Sequence, residues 1–413
     1  MTSVQLLYLI IGIVVADYIF DQSLDFLNLK SSKSELPQKL TGLYKPEQYA
    51  KSQNYLKTQS RFSFITTAFS LSLSLLVLIF GGFGWLENSI STYISDPIVL
   101  SLAFFGSLFI LSDILNLPFQ LYSTFVIEEK FGFNKTSAKT FVMDKLKGYL
   151  IGIIIGGLLG YSLLWLIFEL QQQFWWTALI VIAAFSLFMN VFYTSLLLPL
   201  FNKLRPLEEG SLKEQIKAYA KKVDFPLDSI FVIDGSKRSS KANAFFSGMG
   251  KKKKIVLYDT LIENHTEEEL VAVLAHEVGH FKKKHIVLSM IISFGQMALM
   301  LYLLSWLIFN EELSAALGAQ ALSVPINLIA FGLLYTPISK LTGILMNMLS
   351  RKNEYEADAY ASLTYEASPL KSALKKLSVD NLSNLTPHPT YVFVNYSHPT
   401  LLQRLEAMDK LAI

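Results

Sequence analysis

The sequence predicts a mostly α-helical membrane protein: seven spanning helices and a cytoplasmic unit carrying a small β-hairpin and a metal site. Three observations carry this. Hydrophobic residues make up 52% of the 413 residues and charged ones 17%, with mean hydropathy +0.39, too apolar for an ordinary soluble domain. Seven apolar stretches reach spanning length. His276-Glu277-Val278-Gly279-His280 sets two imidazoles one helical turn apart with a carboxylate between them.

The spans fall at approximately 4–20, 62–84, 97–120, 149–168, 175–200, 286–309 and 321–348. The first has no basic segment before it and no convincing cleavage site, so it reads as a retained anchor. Of the 36 Lys and Arg, 7 lie between spans 1 and 2, 5 between 3 and 4, 16 between 5 and 6, and 7 after span 7; Lys340 alone is inside a span. The three alternate segments carry Glu87, Asp96, Glu169, Glu311 and Glu312 and no basic residue. Basic segments stay cytoplasmic, so the amino terminus is predicted outside and the tail inside. The chain divides into spans 1–5 with their loops (1–200), a unit carrying the paired histidines (201–285), spans 6–7 (286–348) and a helical tail (349–413).

Residues 201–285 read as helix, three strands and helix. Lys213–Val223 is amphipathic, and Ser229–Ile233 is a short apolar run. Ala242–Phe246 and Ile255–Tyr258 flank a Gly248-Met249-Gly250 turn, which suggests a hairpin. Lys251–Lys254 reads as its solvated tip. Thr266 with Glu267, Glu268 and Glu269 forms a capping box whose acidic first turn suits the helix dipole. Leu270, Val271, Val273 and Leu274 give the following helix an apolar face, and Lys282–Lys284 favour its C-terminal end. The tail reads as three helices interrupted at Pro387–Pro389.

The chain contains no cysteine. That excludes disulfides, a thiol nucleophile and any thiolate metal site, so ligands must be His, Asp or Glu. A net charge of +3 gives no case for nucleic acid. Two histidines at i and i+4 suit one Zn²⁺, with Glu277 placed to act on its water. The segment after span 7 offers a candidate third ligand, with an acidic helix face in solvent as the alternative: Glu354 and Asp358 are one turn apart on one face. A carboxylate completing His₂Glu leaves a position open for water. Asp358 would then accept from a ligand histidine and fix its tautomer. Spacing alone does not separate Glu354 from Glu356. His265, His285 and His388 have no partner spacing.

Ordered blocks along the chain carry a resemblance. They are Glu128–Asn134, Pro199–Lys203, Asp224–Leu227, Gly235–Ser240, Asn243–Phe245, the paired-histidine motif, Glu354–Asp358 and Ser397–Arg404. Together these resemble the type I integral-membrane zinc CAAX prenyl proteases, the family that processes the a-factor precursor and prelamin A. A related heat-shock membrane metalloprotease shares the zinc motifs but has fewer spans. The resemblance implies a barrel of seven tilted helices enclosing a water-filled chamber. It implies one Zn²⁺ per chain, with Glu354 as third ligand and Glu356 a bystander. Polar residues in apolar spans (Asp17, Asp113, Asn116, Asn190, Asn327 and Lys340) would line the chamber. The resemblance also assigns roles. His398 would stabilise the oxyanion, with N-capping of the last helix as its bland alternative. Arg404 would brace Glu354 or Asp358. Asn243-Ala244-Phe245 would form an edge strand to which substrate adds.

The function this implies is a membrane-embedded zinc endopeptidase, with the bilayer and peptide or protein substrates as partners. In eukaryotes those substrates are prenylated CAAX tails. In bacteria the same scaffold would serve membrane-protein turnover. Short extracytoplasmic segments and an ending Asp409-Lys410-Leu411-Ala412-Ile413 without a dilysine signal tilt the expectation toward a bacterial inner membrane, with the endoplasmic reticulum as the eukaryotic counterpart. The rival from another class is a seven-span receptor or transporter with structural histidines.

Overall fold

The computed structural model describes residues 1–32, 45–247 and 253–411. Helices α1 (Ser3–Lys30), α2 (Pro46–Ile79), α3 (Pro97–Tyr122), α4 (Gly157–Leu170) and α5 (Phe174–Leu196) come first. An extramembrane unit follows, bounded by α6 (Ser211–Lys222) and α7 (Glu267–Lys282). Helices α8 (His285–Leu307) and α9 (Val324–Thr364) return to the apolar layer, and α10 (Ala367–Asp380) and α11 (Leu401–Asp409) close the chain. Six helical runs among the described residues are long and apolar enough to cross a membrane, and one of them, Ala138–Phe201, has 64 residues. The chain reverses inside it at Gln171, where φ is +49° and a 3₁₀ turn over Gln171–Gln173 lets α4 and α5 pack on each other. The seven apolar stretches therefore give seven passes.

These passes close into a ring. Contacts run α1–α2, α3–α4, α4–α5, α5–α8, α8–α9 and back from α9 to α1. The α2–α3 joint is aromatic, with Phe69 edge-on to Phe119 at 5.1 Å. A filled bundle would bury one face of every helix. Here α1 buries only Ile10, Leu24 and Asn28 of 28 residues, and α2 only Tyr49, Ser52, Gln53 and Leu78 of 34. The ring is a hollow barrel. One end is fastened backbone to backbone: a Cβ on Gly84 would lie 1.9 Å from Gly318 O, and Gly84 N–H donates to Leu317 O at 3.3 Å.

The polar residues inside the spans divide. Lys340 pairs with Asp17 at 2.5 Å and Asp21 at 2.7 Å, and Asp113 pairs with Lys145 at 2.7 Å. Asn190 borders a cavity, and Asn116 bonds its own helix at Ser112 O. Asn327 does not line the interior. It is fully buried and donates to Ile308 O and Asn310 O while accepting from Ser314, tying α9 to the end of α8. Helix α9 also differs from expectation: the last span and the Glu354 segment form one uninterrupted 41-residue helix.

The extramembrane unit holds four strands, β1 (Leu204–Pro206), β2 (Leu227–Ile233), β3 (Ala244–Ser247) and β4 (Lys253–Tyr258), in the order β1-β2-β4-β3. The hairpin is β3 antiparallel to β4, with Ala244 opposite Leu257, and β2 runs parallel to β4. Strand β1 has three residues including a proline, too short for a period-2 signal. Gly248-Met249-Gly250, Lys251 and Lys252 lie outside the described residues. Lys253 and Lys254 are not a solvated tip: they open β4 and lie over the rings of Phe281 and Phe231 at 5.2 and 5.9 Å. One core joins sheet and helices through Ile216, Ile230, Leu257, Leu274, Leu370 and Met408. The stretch leading into β3 is clamped to the membrane helices. Asn134 bridges Ser239, Arg238 forks onto Asp144 at 2.7 and 2.8 Å, and Lys241 reaches Glu128 at 3.1 Å.

Candidate active site

Helix α7 begins as its sequence dictates. Thr266 Oγ1 accepts from Glu269 N–H, and the Glu269 carboxylate accepts from Thr266 N–H at 2.9 Å. Glu269 does more than cap. It is 4% exposed and also accepts from Ser372 at 2.6 Å and Lys376 at 2.7 Å, binding α7 to α10. Leu270, Val271, Leu274 and Val278 face the core. Val273 does not join them: with Glu277, one turn on, it borders an open cleft.

Helix α7 lies tightly on α9. A Cβ on Gly279 would sit 3.0 Å from Ala357 Cα and 3.1 Å from Ala357 O. A helix with any larger residue there would stand farther off. This approach brings both motif histidines to Glu354: His276 Nε2 is 3.5 Å from Glu354 Oε2, His280 Nε2 is 3.2 Å from Oε1, and the two Nε2 atoms are 3.2 Å apart. Glu356, two residues on, points away from this cluster toward His285.

The cluster fits a tetrahedral cation. Zinc–nitrogen and zinc–oxygen bonds of ~2.0–2.1 Å imply ligand atoms ~3.3 Å apart, and the three separations are 3.2–3.5 Å. His276 donates its other nitrogen, Nδ1, to Asp358 at 2.8 Å, so its Nε2 lone pair is the one that faces His280 and Glu354. Glu354 Oε2 is buried and lacks a hydrogen bond. These three converging atoms are the donor set of a cation site, and without a cation a proton on His276 and the Arg404 guanidinium offset the Glu354 charge.

Surrounding charges complete the frame. Arg404, 9% exposed, forks onto Asp358 through Nε at 2.8 Å and Nη2 at 2.6 Å, and Nη1 lies 3.3 Å from Glu354 Oε2. It braces both carboxylates where one was expected. Burial pulls the metal-free His276 imidazole down, but Asp358 and Glu354 outweigh burial and push its pKa up to about 9. His398 Nε2 is 3.3 Å from Glu354 Oε1 with its side chain 62% exposed. Helix α11 is capped by Thr400 in a box with Gln403, so His398 is not the cap. His388 and His265 do serve as caps, His388 accepting from Thr390 N–H and His265 closing onto Leu261 O.

Two spaces adjoin the cluster. A cleft of about 240 Å³ is lined by Asn243, Ala244, His276, Glu277, Glu354, His398 and Arg404. Strand β3, at the sheet edge, borders it; Phe245 turns instead to the second space. That space, about 780 Å³ and mainly apolar, lies between α5 and α8 beside His280, with Tyr193, Phe245, Phe281 and Met290 among its walls. The fixed-spacing residues were legible in sequence; the buried histidine beside them, His285, was not.

Comparisons with known proteins show the family to which the chain belongs. Residues 25–203 match the family model described as CAAX prenyl protease N-terminal, five membrane helices, and residues 206–412 match peptidase family M48. The chain is 35% identical to CAAX prenyl protease 1 homolog of Arabidopsis thaliana, over 97% of this chain and 96% of that one. It is 34% identical to CAAX prenyl protease 1 of Saccharomyces cerevisiae, over 97% and 94%. The crystal structure of S. mikatae Ste24p superposes with a TM-score of 0.93 at 34% identity, covering 98% of this chain and 99% of that one.

Proposed function

Because this chain belongs to peptidase family M48 and carries the membrane domain of the CAAX prenyl proteases, we propose that it is a zinc endopeptidase cutting near the C-terminus of prenylated CAAX-type proteins at the cytoplasmic face of its membrane. The observation that carries this is the convergence of His276, His280 and Glu354, with His276 and Glu354 lining a cleft that also holds Glu277 and the edge strand. A receptor or transporter with structural histidines is not favoured, because the chain belongs to peptidase family M48 and the cluster has the ligand set of a metal site. A turnover protease of bacterial type is not favoured either, since the relatives are CAAX prenyl proteases.

His276, His280 and Glu354 would hold Zn²⁺. When bound, the ion would supply Lewis acidity and would lower the pKa of a water in the open position. Glu277, in the cleft wall, would serve as general base toward the attacking water and as general acid toward the leaving amine. His398, exposed and 3.3 Å from Glu354, would donate to the developing oxyanion. Asp358 and Arg404 keep His276 and Glu354 aimed. Asn243 and Ala244 present main-chain groups to an extended peptide. The apolar space beside His280 is where an isoprenoid is sheltered from water. The basic segments support the cytoplasmic placement.

The test uses purified protein in lipid nanodiscs with a farnesylated CAAX peptide and its unmodified twin. One zinc per chain, chelator-sensitive cleavage and preference for the farnesylated peptide are expected. Equal cleavage of both peptides would remove the prenyl specificity, and absence of zinc would remove the mechanism.

A further inference from the structure

The two ligand histidines are held differently. His276 has a buried carboxylate behind it. His280 has none: its Nδ1 lies 3.0 Å from Nδ1 of His285, and His285 Nε2 lies 3.2 Å from Glu356 Oε2. The two rings meet edge to face, centroids 5.1 Å apart at 74°. His285 is 5% exposed, whereas Glu356 is half-exposed with Lys352 at 3.8 Å. On a continuous helix a residue five positions beyond His280 would point elsewhere. The helix is not continuous. Lys284 takes φ +58°, ending α7 and capping α8, and this reversal folds His285 back over His280.

We infer that His285 and Glu356 are positioning residues that orient His280 toward the metal. The proton pattern follows from the contacts. His280 Nε2 faces Glu354 and His276, so its proton sits on Nδ1 and is donated to His285 Nδ1. The His285 proton then sits on Nε2 and is donated to Glu356. Two neutral imidazoles satisfy every contact in this one arrangement. The outer support of one ligand is thus a buried acid and arginine, and that of the other is an imidazole backed by a carboxylate that water reaches. Outer partners of metal-binding histidines fix tautomer and ring angle.

This inference rests on the metal site proposed above, and the test separates the two. Zinc affinity is measured by chelator competition at fixed pH for the wild type, His285→Phe, His285→Asn and Glu356→Gln, together with the absorption spectrum of the cobalt-loaded forms. Loss of an outer partner lowers affinity roughly ten- to hundredfold, and that is the expectation for His285→Phe. Asn places an amide oxygen near the Nδ1 position and recovers most of the affinity. Glu356→Gln shows a smaller loss and a shifted cobalt spectrum. Wild-type affinity in His285→Phe, or equal loss in Phe and Asn variants, would reduce the contact to packing and overturn the inference. An unaltered Glu356→Gln would overturn the Glu356 half. A wild type that binds no zinc would overturn the site itself. If His285→Phe fails to fold, the half-exposed Glu356→Gln carries the test.

Discussion

Gly279→Ala isolates what brings the metal ligands together. The added methyl would lie 3.0 Å from Ala357 Cα, 3.1 Å from Ala357 O and 3.2 Å from Tyr360 Cβ. Ordinary van der Waals contact begins at 3.4 Å, so α7 must retreat from α9 by a few tenths of an ångström. Metal sites hold their bond lengths to about 0.2 Å. The ligand triangle therefore suffers more than the fold. Crowding costs about 1–3 kcal/mol, and alanine returns about 1 kcal/mol of helix propensity over glycine. Thermal unfolding in excess chelator should change little, while zinc affinity by chelator competition should fall at least tenfold, the scale seen when ligand support is lost (roughly ten- to hundredfold). The contacted atoms of Ala357 are backbone, so adding Ala357→Gly should not rescue binding. Unchanged affinity in Gly279→Ala, or rescue by the second substitution, would refute this account of the helix contact.

Further outcomes follow from the same geometry. Glu277→Gln should keep one zinc per chain and lose cleavage by roughly a hundredfold or more, the scale of general base catalysis; normal turnover would remove the base assignment. Zinc binding should strengthen as pH rises from 6 toward 9, because metal-free His276 with a pKa pushed up to about 9 carries a proton that the ion must displace. Calorimetry in two buffers of different ionisation enthalpy counts that proton. Glu269→Ala strands Lys376 and Ser372 and should cost about 1–3 kcal/mol by denaturant unfolding. Burial alone would raise the Glu269 carboxyl, but Lys376 and Ser372 hold it below its ordinary value. Its contribution is full above the unfolded pKa and is lost as pH falls through the folded one, so the wild-type advantage should shrink in acid. Asn243→Pro removes a main-chain donor at the cleft and should raise KM with zinc content intact.

The legible parts of this chain share one property: short-range periodicity. The paired histidines, the capping box at Thr266, the hairpin and the seven apolar stretches are each set by residues within a turn or a strand of one another. What escaped depends on breaks or on distance. His285 was invisible because an i+5 rule fails across Lys284, a lysine in a left-handed conformation that no local pattern announces. Asn327 looked like an interior polar group because its carbonyl partners, Ile308 and Asn310, are reached only after the chain turns between α8 and α9. Glu354 could be told from Glu356 only by resemblance, since both lie within one turn and the choice is made by how α7 crosses α9. Lys253 and Lys254 read as a tip because four lysines in a row suggest solvent, yet the strand that follows claims two of them.

The last membrane helix carries the proposed metal ligand Glu354 on the same α-helix, with one proline, Pro337, seventeen residues before it. Its 41 residues make a rod of about 60 Å, and Glu354 rides on it only ~9 Å past the apolar end near residue 348. A swing of that shaft by some 5° would carry the carboxylate about 0.8 Å, several times the ~0.2 Å a metal centre tolerates. Bilayer thickness and lateral pressure act on the shaft directly. The surrounding lipid is thereby geared to the chemistry, and turnover should respond to acyl-chain length as a dial responds to its spindle.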